Sequence, residues 1–375
     1  MQLQNSLESG KRFYVLDSFR GIAAVCVVLV HLHFIDSITE LNFFKNSYLF
    51  VDFFFILSGF VLTHGYAFKQ NNSYKSFFIS RTFRIMPLHL FMLLLFIIFE
   101  FAKLVAYNKG ISFNNVPFSN NTSPTDILPN IFLLQSWLPF AKAGSWNVPA
   151  WSISVEYYIY MLFFITLLVK RFQNLIWLTI ISISLFLLIT NNEIISSGIL
   201  RGLSGFFIGI YVYLFYLYTS QFMEKLNIYI YIILEFCLVL LAIVFLSQNE
   251  DKMSPFLIKV VFIGLVYIFA FEKGFVSSIL KKSLFQLLGK LSYSIYLTHT
   301  LVIIILTSIV IIIEKFLSIQ LTTRIEHYRF FDFGNIIVNN IFVILFVVLV
   351  IFISMFTYKY IEKKGMEFGK KINSK

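Results

Sequence analysis

Charged residues are scarce in this chain, and acidic ones are the scarcest. Only 13% of its 375 residues are charged, with 19 acidic against 30 basic side chains. Soluble domains carry about 25% charged residues, which excludes an ordinary soluble domain. Apolar residues make up 58% of the chain, and 47 residues are phenylalanine. The composition therefore predicts a polytopic membrane protein embedded in a lipid bilayer.

Cysteine is also rare, with two residues in the whole chain. Cys26 and Cys237 both lie inside apolar runs, which excludes a disulfide framework and predicts two small, packed side chains. We expect no metal ion. The net charge of +11 is typical of a membrane protein with basic cytoplasmic loops, and it does not indicate nucleic-acid binding.

Apolar windows long enough to cross a bilayer, which takes about 20 residues in a helix, recur along the chain. They cover residues 13–34, 47–67, 86–106, 150–169, 174–190, 196–218, 227–247, 255–271, 291–313 and 336–358. The sequence thus predicts an all-α fold of about ten transmembrane helices. No small-x-small cleavage site follows the first window, so we expect it to be retained. The apolar segment 127–140 is short and bounded by proline, which favours a re-entrant or interfacial position.

The distribution of basic residues predicts that both termini are cytoplasmic, because lysine and arginine concentrate on that side of a membrane. The residues assigned to it are Lys11, Arg12, Lys69, Lys75, Arg81, Arg84, Lys170, Arg171, Lys225, Lys273, Lys281, Lys282, Lys290, Lys359, Lys363, Lys364, Lys370, Lys371 and Lys375. We expect a single integral-membrane domain over residues 1–375. Its core covers about 13–364, and a basic cytoplasmic tail, expected to be solvated, covers 365–375.

Two ionisable residues, Arg20 and His31, bracket the first apolar run. At 100° per residue they lie about 20° apart around one helix and roughly 16 Å apart along its axis. Asp17 lies close to the same face and is placed to pair with Arg20. Ionisable groups at membrane depth usually face a cavity or a partner, and a neutral histidine there can accept a proton from a hydroxyl. The alternative is that both side chains reach out to the membrane surfaces, as we expect of His33.

Two arginines, Arg81 and Arg84, lie three residues apart before the third span. On a helix they share a face and form a fork suited to a phosphate or pyrophosphate. The alternative is a positive anchor at the cytoplasmic surface.

The fourth span begins with Ser152, Glu156 and Tyr160 on one helix face. Glu156 is a candidate partner for an arginine of another helix, such as Arg20 or Arg201. Its other candidate roles are to orient a catalytic histidine or to bind a sugar hydroxyl.

Later spans add three candidates. Tyr296 and His299 share a face of the ninth span, where His299 is either a second histidine of the same cavity or a core histidine. Arg201 opens the stretch RGLSGFFIG as a candidate charge at the outer side of the site. The glycines of that stretch favour close helix packing.

Six stretches in this order resemble the membrane-bound acyltransferase-3 family, which modifies bacterial surface glycans and some hydroxylated small molecules. They are LDSFRGIAAVCVVLVH, VDFFFILSGFVL, SRTFRIMP, AWSISVEYYIY, RGLSGFFIG and LSYSIYLTHT. The closing KYIEKK, which contains Glu362, is similar to the family's terminal motif, with Lys364 in place of the usual proline. Each motif alone is weak, whereas six in order are specific. Members often carry a C-terminal extracytoplasmic domain. This sequence stops shortly after the terminal motif, so we expect a stand-alone form.

The resemblance implies an O-acetyltransferase of the bacterial inner membrane, acting on a surface polysaccharide or its lipid-linked precursor. Acyl-CoA, usually acetyl-CoA, would bind from the cytoplasm at Arg81 and Arg84, and its pantetheine arm would pass Arg20. His31 would activate the acceptor hydroxyl or carry the acyl group. The catalytic candidates are His31, Arg20 and Glu156. The candidate site-lining residues are Asp17, Ser152, Tyr296, His299 and Arg201.

Other interpretations stay open. One alternative acceptor is a small secreted hydroxylated metabolite. One alternative acyl group is succinyl or another short acyl group. A glycan or organic-anion transporter would suit ten spans, but the sequence shows no paired inverted repeats. A non-catalytic membrane scaffold would tolerate the loss of His31.

Overall fold

The computed structural model describes residues 11–68, 73–111, 113, 115–191, 194–249, 254–325 and 328–374. Long helices dominate them, and each predicted apolar window coincides with one helix. Their bounds are α1 Tyr14–Val30, α2 Phe50–Leu62, α3 Tyr74–Asn108, α4 Ala150–Leu168, α5 Gln173–Ile189, α6 Ser197–Glu224, α7 Ile228–Leu246, α8 Pro255–Phe269, α9 Ser283–Leu317 and α10 Ile336–Thr357. Lys69 and Lys375, both assigned to the cytoplasmic side, lie outside the described residues.

Seven helical segments of the described chain are long and apolar enough to cross a membrane. They are Asn42–Ala67, Tyr74–Asn108, Ala150–Leu168, Ser197–Glu224, Ile228–Leu246, Ser283–Leu317 and Ile336–Asn373. Helices α5 and α8 are apolar but shorter, and α1 has 17 residues. The protein is therefore an all-α polytopic membrane protein, as predicted. The count of ten spans and the cytoplasmic termini stay predictions.

Close contact between α1 and α9 depends on two glycines. A Cβ on Gly21 would overlap backbone atoms of Leu288 and Gly289, and one on Gly289 would overlap the backbone of Asp17. Only hydrogen at these positions lets the two backbones approach this closely. The approach fixes α1 beside α9, the two helices from which His31 and His299 come.

Helices α2 and α6 meet in the same way. A Cβ on Gly59 would overlap Phe206, and one on Gly209 would overlap Ile56. Close packing through the glycines of RGLSGFFIG is thereby confirmed.

The C-terminal segment forms a further helix, α11 Lys363–Asn373, joined to α10 by a π-helical turn at Tyr358–Glu362. Its glycines Gly365 and Gly369 pack against Pro87 and Phe83 of α3. These contacts lie in the first half of α3, so the segment predicted as a solvated tail packs against that helix.

A two-stranded hairpin follows α9. Strand β1 Thr322–Ile325 pairs antiparallel with β2 Tyr328–Phe331, with Thr323 opposite Phe330. Phe331 also bridges to Phe34, beyond the end of α1. No strand was predicted here from the sequence, and β2 contributes to the wall of a cavity.

The segment 127–140 contains a short helix, Ile127–Ile131, followed by turns. Ser136 Oγ donates to the Trp151 carbonyl at 2.9 Å, and Trp137 Nε1 donates to the Ser154 carbonyl at 3.1 Å. The segment thus packs against the start of α4.

The two cysteines differ. Cys26 is buried as predicted, whereas Cys237 is exposed on α7, so the prediction of a packed side chain is wrong there. An apolar window does not tell which helix face meets lipid.

Candidate active site

An inner cavity of about 90 Å³ lies between α1, α2, α3, α4 and α9. It brings together three of the predicted arginines, Arg20, Arg81 and Arg84, with the carboxylate of Glu156. In the predicted orientation this cavity is on the cytoplasmic side. The arrangement concentrates positive charge at one end of the site, which favours an anionic ligand group.

Arg81 retains donors for a ligand. Its guanidinium lies over the rings of Tyr66 and Phe77, at 5.6 Å and 5.9 Å from their centroids. Nη2 donates to the Tyr66 hydroxyl at 3.3 Å, and the buried Nε has no hydrogen-bond partner among the described residues. A buried donor without a partner is costly, so a ligand acceptor at Nε would be favourable.

Arg84 is engaged by the protein itself. Its Nη1 donates to Glu362 Oε1, and the other oxygen of this fully buried carboxylate accepts from Ser294 Oγ at 2.7 Å. The predicted arginine fork is therefore unequal, because Arg84 is partly neutralised and Arg81 is not. Glu362 belongs to KYIEKK, so the terminal motif lies at the site.

Arg20 lines both the inner cavity and a second one next to it. It forms no hydrogen bond or ion pair with another described residue. Asp17 instead accepts a hydrogen bond from Arg12 Nε at 2.7 Å, so the predicted Asp17–Arg20 pair is wrong. Arg12 precedes α1 and reaches Asp17 from the helix start, which leaves Arg20 to the cavities.

The second, middle cavity measures about 40 Å³ and is bounded by α1, α2, α4 and α9. Its polar lining includes Ser152, whose Oγ lies 2.8 Å from the Tyr296 hydroxyl oxygen. Ser292 Oγ is buried there and has no partner among the described residues. Arg20, Ser58, Glu156 and Tyr293 line both this cavity and the inner one, so the two adjoin.

Glu156 is held by hydroxyl groups. Its Oε1 accepts from Ser58 Oγ at 2.5 Å and from the Tyr160 hydroxyl. Within the described residues it pairs with neither Arg20 nor Arg201, the partners considered from the sequence. Both bonds go to one oxygen, which leaves the other to interact with a ligand group.

Arg201 lies in a separate buried cluster and lines none of these cavities. Its Nη2 binds Asp52 Oδ2 at 2.8 Å, and Lys259 Nζ lies 3.6 Å from Asp52 Oδ1. Lys259 also donates to Ser204 Oγ at 3.1 Å. Arg201 thus has a local partner. Lys259 was not among the predicted residues, and its signal in the sequence is a single lysine inside an apolar window.

An outer cavity of about 290 Å³ opens at the other end of α1. His31, directly after α1, lines it, and so does His33, which was expected to reach outward. Helix α3, the segment 115–122, α9 and β2 form the remaining walls. Glu100 and Lys103 of α3 also line it; a carboxylate inside the third apolar window was the signal that could have pointed to them.

His299 lies between the middle and outer cavities. Its ring centroid is 5.2 Å from that of His31, with planes 28° apart, and 6.1 Å from that of Tyr296. His299 is fully buried, and its Nδ1 lies 3.2 Å from the Ile295 carbonyl oxygen. Since a carbonyl only accepts, Nδ1 carries the proton and Nε2 holds a lone pair, with no partner among the described residues.

The site therefore combines an arginine-lined inner end with a histidine at the outer end. The first suits phosphate groups, and the second suits proton removal from a hydroxyl. Among the described residues, no three His, Cys, Asp or Glu side chains form a group that could hold a metal ion.

These helices and cavities define a polytopic membrane protein with polar cavities between its helices. Residues 13–359 match the acyltransferase-3 family model, described as "Acyltransferase domain". The chain belongs to this family.

Two curated relatives match shorter segments. Over 117 residues the chain is 34% identical to acyltransferase MdmB of Streptomyces mycarofaciens, covering 30% of this chain and 26% of that one. Over 92 residues it is 39% identical to protein 2 in the picA locus of Rhizobium radiobacter, covering 23% and 44%. The chain thus spans less than half the length of either relative. No solved structure matches it significantly.

Proposed function

We propose that the protein transfers an acyl group, in the simplest case acetyl, from cytoplasmic acyl-CoA to a hydroxyl of an extracytoplasmic surface polysaccharide or its lipid-linked precursor. The membrane would be the bacterial inner membrane. One observation carries this proposal: α1 has Arg20 among the cavity-facing arginines and His31 in the outer cavity. A donor with phosphate groups would need the arginines of the inner cavity, and an acceptor with a hydroxyl would need the histidine of the outer cavity.

Donor binding would rest on Arg81, Arg84 and Arg20. Arg81 has an unpartnered buried Nε, and Arg20 has no protein partner within the described chain, so both guanidinium groups offer donors to phosphate oxygens. The inner and middle cavities, about 90 Å³ and 40 Å³, suit a narrow arm and exclude a nucleotide. The nucleotide of coenzyme A would therefore stay at the cytoplasmic mouth while its acyl-pantetheine arm enters.

Transfer would take place near His31. One ring nitrogen accepts the proton of the acceptor hydroxyl, and the hydroxyl oxygen forms a bond to the thioester carbonyl carbon. The carbon–sulfur bond breaks, the thiolate of coenzyme A leaves, and the proton passes from the imidazolium to it. In the alternative route the acyl group rests on His31 before it reaches the hydroxyl.

Thioester approach to His31 would involve Tyr296 and His299. They separate the middle cavity from the outer one, and Tyr296 is held by its hydrogen bond with Ser152. Glu156 would contact the arm where the two inner cavities adjoin.

The test is acetyl-CoA turnover by purified protein in lipid vesicles, measured as thiol release and as labelled acetyl transfer to an isolated cell-surface glycan. His31→Gln should abolish transfer, and Arg81→Gln should raise the KM for acetyl-CoA. His64→Gln and Arg171→Gln are matched controls, because both residues lie outside the three cavities.

Full transfer by a well-folded His31→Gln variant would contradict the proposal. So would wild-type protein that folds but neither binds nor turns over acyl-CoA, which would favour a transporter instead. Transfer to a small hydroxylated compound but to no glycan would keep the chemistry and replace the acceptor.

A further inference from the structure

The outer cavity has the size of a site for one small ring. Its volume of about 290 Å³ lies at the lower end of the range of roughly 300–1,000 Å³ that is usual for small-molecule sites. His31 lines it, so a hydroxyl of any ligand bound there can reach the proposed base.

The charged residues in its walls are already paired. Lys103 Nζ donates to Glu100 Oε1 at 3.0 Å, while Glu100 Oε2 accepts from the backbone N–H of Phe118 at 2.8 Å. Arg329, on β2, binds Glu314 Oε2 at 3.2 Å through Nη1. Each cation that lines the cavity therefore has its own carboxylate, and a bound anion would have to compete for it.

The neutral polar groups of the walls complement hydroxyls. Thr307 and Ser308 of α9 donate their hydroxyl protons to the carbonyls four residues earlier, at 2.8 Å each. Their oxygens are thereby left as acceptors for ligand O–H groups. Thr300 Oγ1 is buried and lacks a partner among the described residues, so it offers both a donor and an acceptor.

We infer that the outer cavity binds the acceptor as one uncharged, polyhydroxylated ring, a neutral sugar residue, held by Thr300 and Ser308 beside the hydroxyl that reacts at His31. This inference deepens the proposed function and depends on it. The ring of Phe99 and the imidazole of His33 supply flat surfaces for the apolar face of such a ring. Recognition then depends on hydroxyl placement and discriminates against a carboxylate on the ring.

The test compares neutral methyl glycosides of glucose, galactose and mannose with the corresponding methyl uronates as acceptors for labelled acetyl groups. Each pair differs by a carboxylate in place of a CH₂OH group. We expect the neutral member to be acetylated at least about tenfold faster. The uronate would bring one desolvated, uncompensated charge or lose one hydrogen bond, and either change weakens binding by about that factor. Thr300→Val should raise the KM for the neutral glycoside about tenfold, and Thr300→Ser should restore it.

A second variant tests the role of charge pairing. Glu100→Gln removes the carboxylate that neutralises Lys103, and its amide oxygen keeps an acceptor for the Phe118 N–H. The inference predicts that this variant gains uronate acetylation relative to the neutral sugar.

Three outcomes overturn the inference. They are uronates reacting as fast as neutral glycosides in the wild type, an unchanged preference in Glu100→Gln, and normal acetyl-CoA hydrolysis with no transfer to any glycoside. The third leaves the proposed acyl transfer standing. Absence of any acetyl-CoA turnover by folded wild type would overturn the proposed function as well, so the two failures are distinguishable.

Discussion

The imidazole rings of His31 and His299 stack, with centroids 5.2 Å apart and planes 28° apart. The His31 side chain forms no hydrogen bond with any described residue, so this ring contact is what positions it. His299 keeps its own orientation through Nδ1 and the Ile295 carbonyl. Stacking of two rings in this way contributes about 0.5–1.5 kcal/mol beyond the buried area.

Ring contact at position 299 should therefore matter more than the nitrogen atoms there. We expect His299→Phe to keep most of the activity and His299→Ala to lower kcat about three- to tenfold, as loss of an aromatic contact implies. Steady-state kinetics of the two variants provide the measurement. Equal losses of kcat in both variants would exclude this positioning role.

The two arginines of α3 should give different phenotypes. Arg81→Gln should raise the KM for acetyl-CoA and change thermal unfolding little, because Arg81 has a long hydrogen bond to Tyr66 and two ring contacts but no ion pair with a described carboxylate. Arg84→Gln should also lower the unfolding temperature, because it leaves the buried Glu362 without its cation. Breaking a fully buried pair costs about 3–5 kcal/mol, and the partial exposure of Arg84 lowers that loss.

The matched double variant is Arg84→Gln with Glu362→Gln. It should recover unfolding temperature, because no buried charge is then left unpaired. The unfolding temperature in detergent and the KM for acetyl-CoA are measured for the wild type, Arg81→Gln, Arg84→Gln and the double variant. Equal unfolding temperatures of Arg81→Gln and Arg84→Gln would contradict the claim that only Arg84 is held by a buried carboxylate.

Much of the fold was predictable because the bilayer imposes one simple rule. Every backbone polar group in hydrocarbon needs an internal partner, so a long apolar window becomes a helix. That is why ten windows coincide with ten helices. Periodicity along one helix likewise related Arg20 to His31 and Ser152 to Glu156.

Contacts between distant segments were not predictable in the same way. Spacing favoured Asp17 with Arg20, yet Arg12, which lies outside the helix, takes Asp17. Arg84 meets Glu362 from the other end of the chain because α11 folds back along α3. The outer cavity needs the segment 115–122 and the hairpin, whose polar residues carry no helical period.

Asp52 should be essential for stability rather than for donor binding. It is 3% exposed and faces both Arg201 and Lys259, so Asp52→Asn leaves two buried cations without a counterion. We expect a clear loss of thermal stability, of the order of 3 kcal/mol or more, with the donor KM unchanged in the surviving fraction. Adding Lys259→Met should recover part of that stability. An unfolding temperature equal to wild type for Asp52→Asn would show that the cluster contributes nothing.

Gly21 should tolerate no larger residue, because a Cβ there would overlap backbone atoms of Leu288 and Gly289. Gly21→Ala must push α1 away from α9, a displacement that also moves His31 from His299. Overpacking of this kind costs about 1–3 kcal/mol, so we expect lower thermal stability and at least tenfold lower transfer. Gly65→Ala is the control, since a Cβ at Gly65 meets no atom within 4 Å. Measured side by side in vesicles, equal activities of the two variants would mean that close contact between α1 and α9 does not set the position of His31.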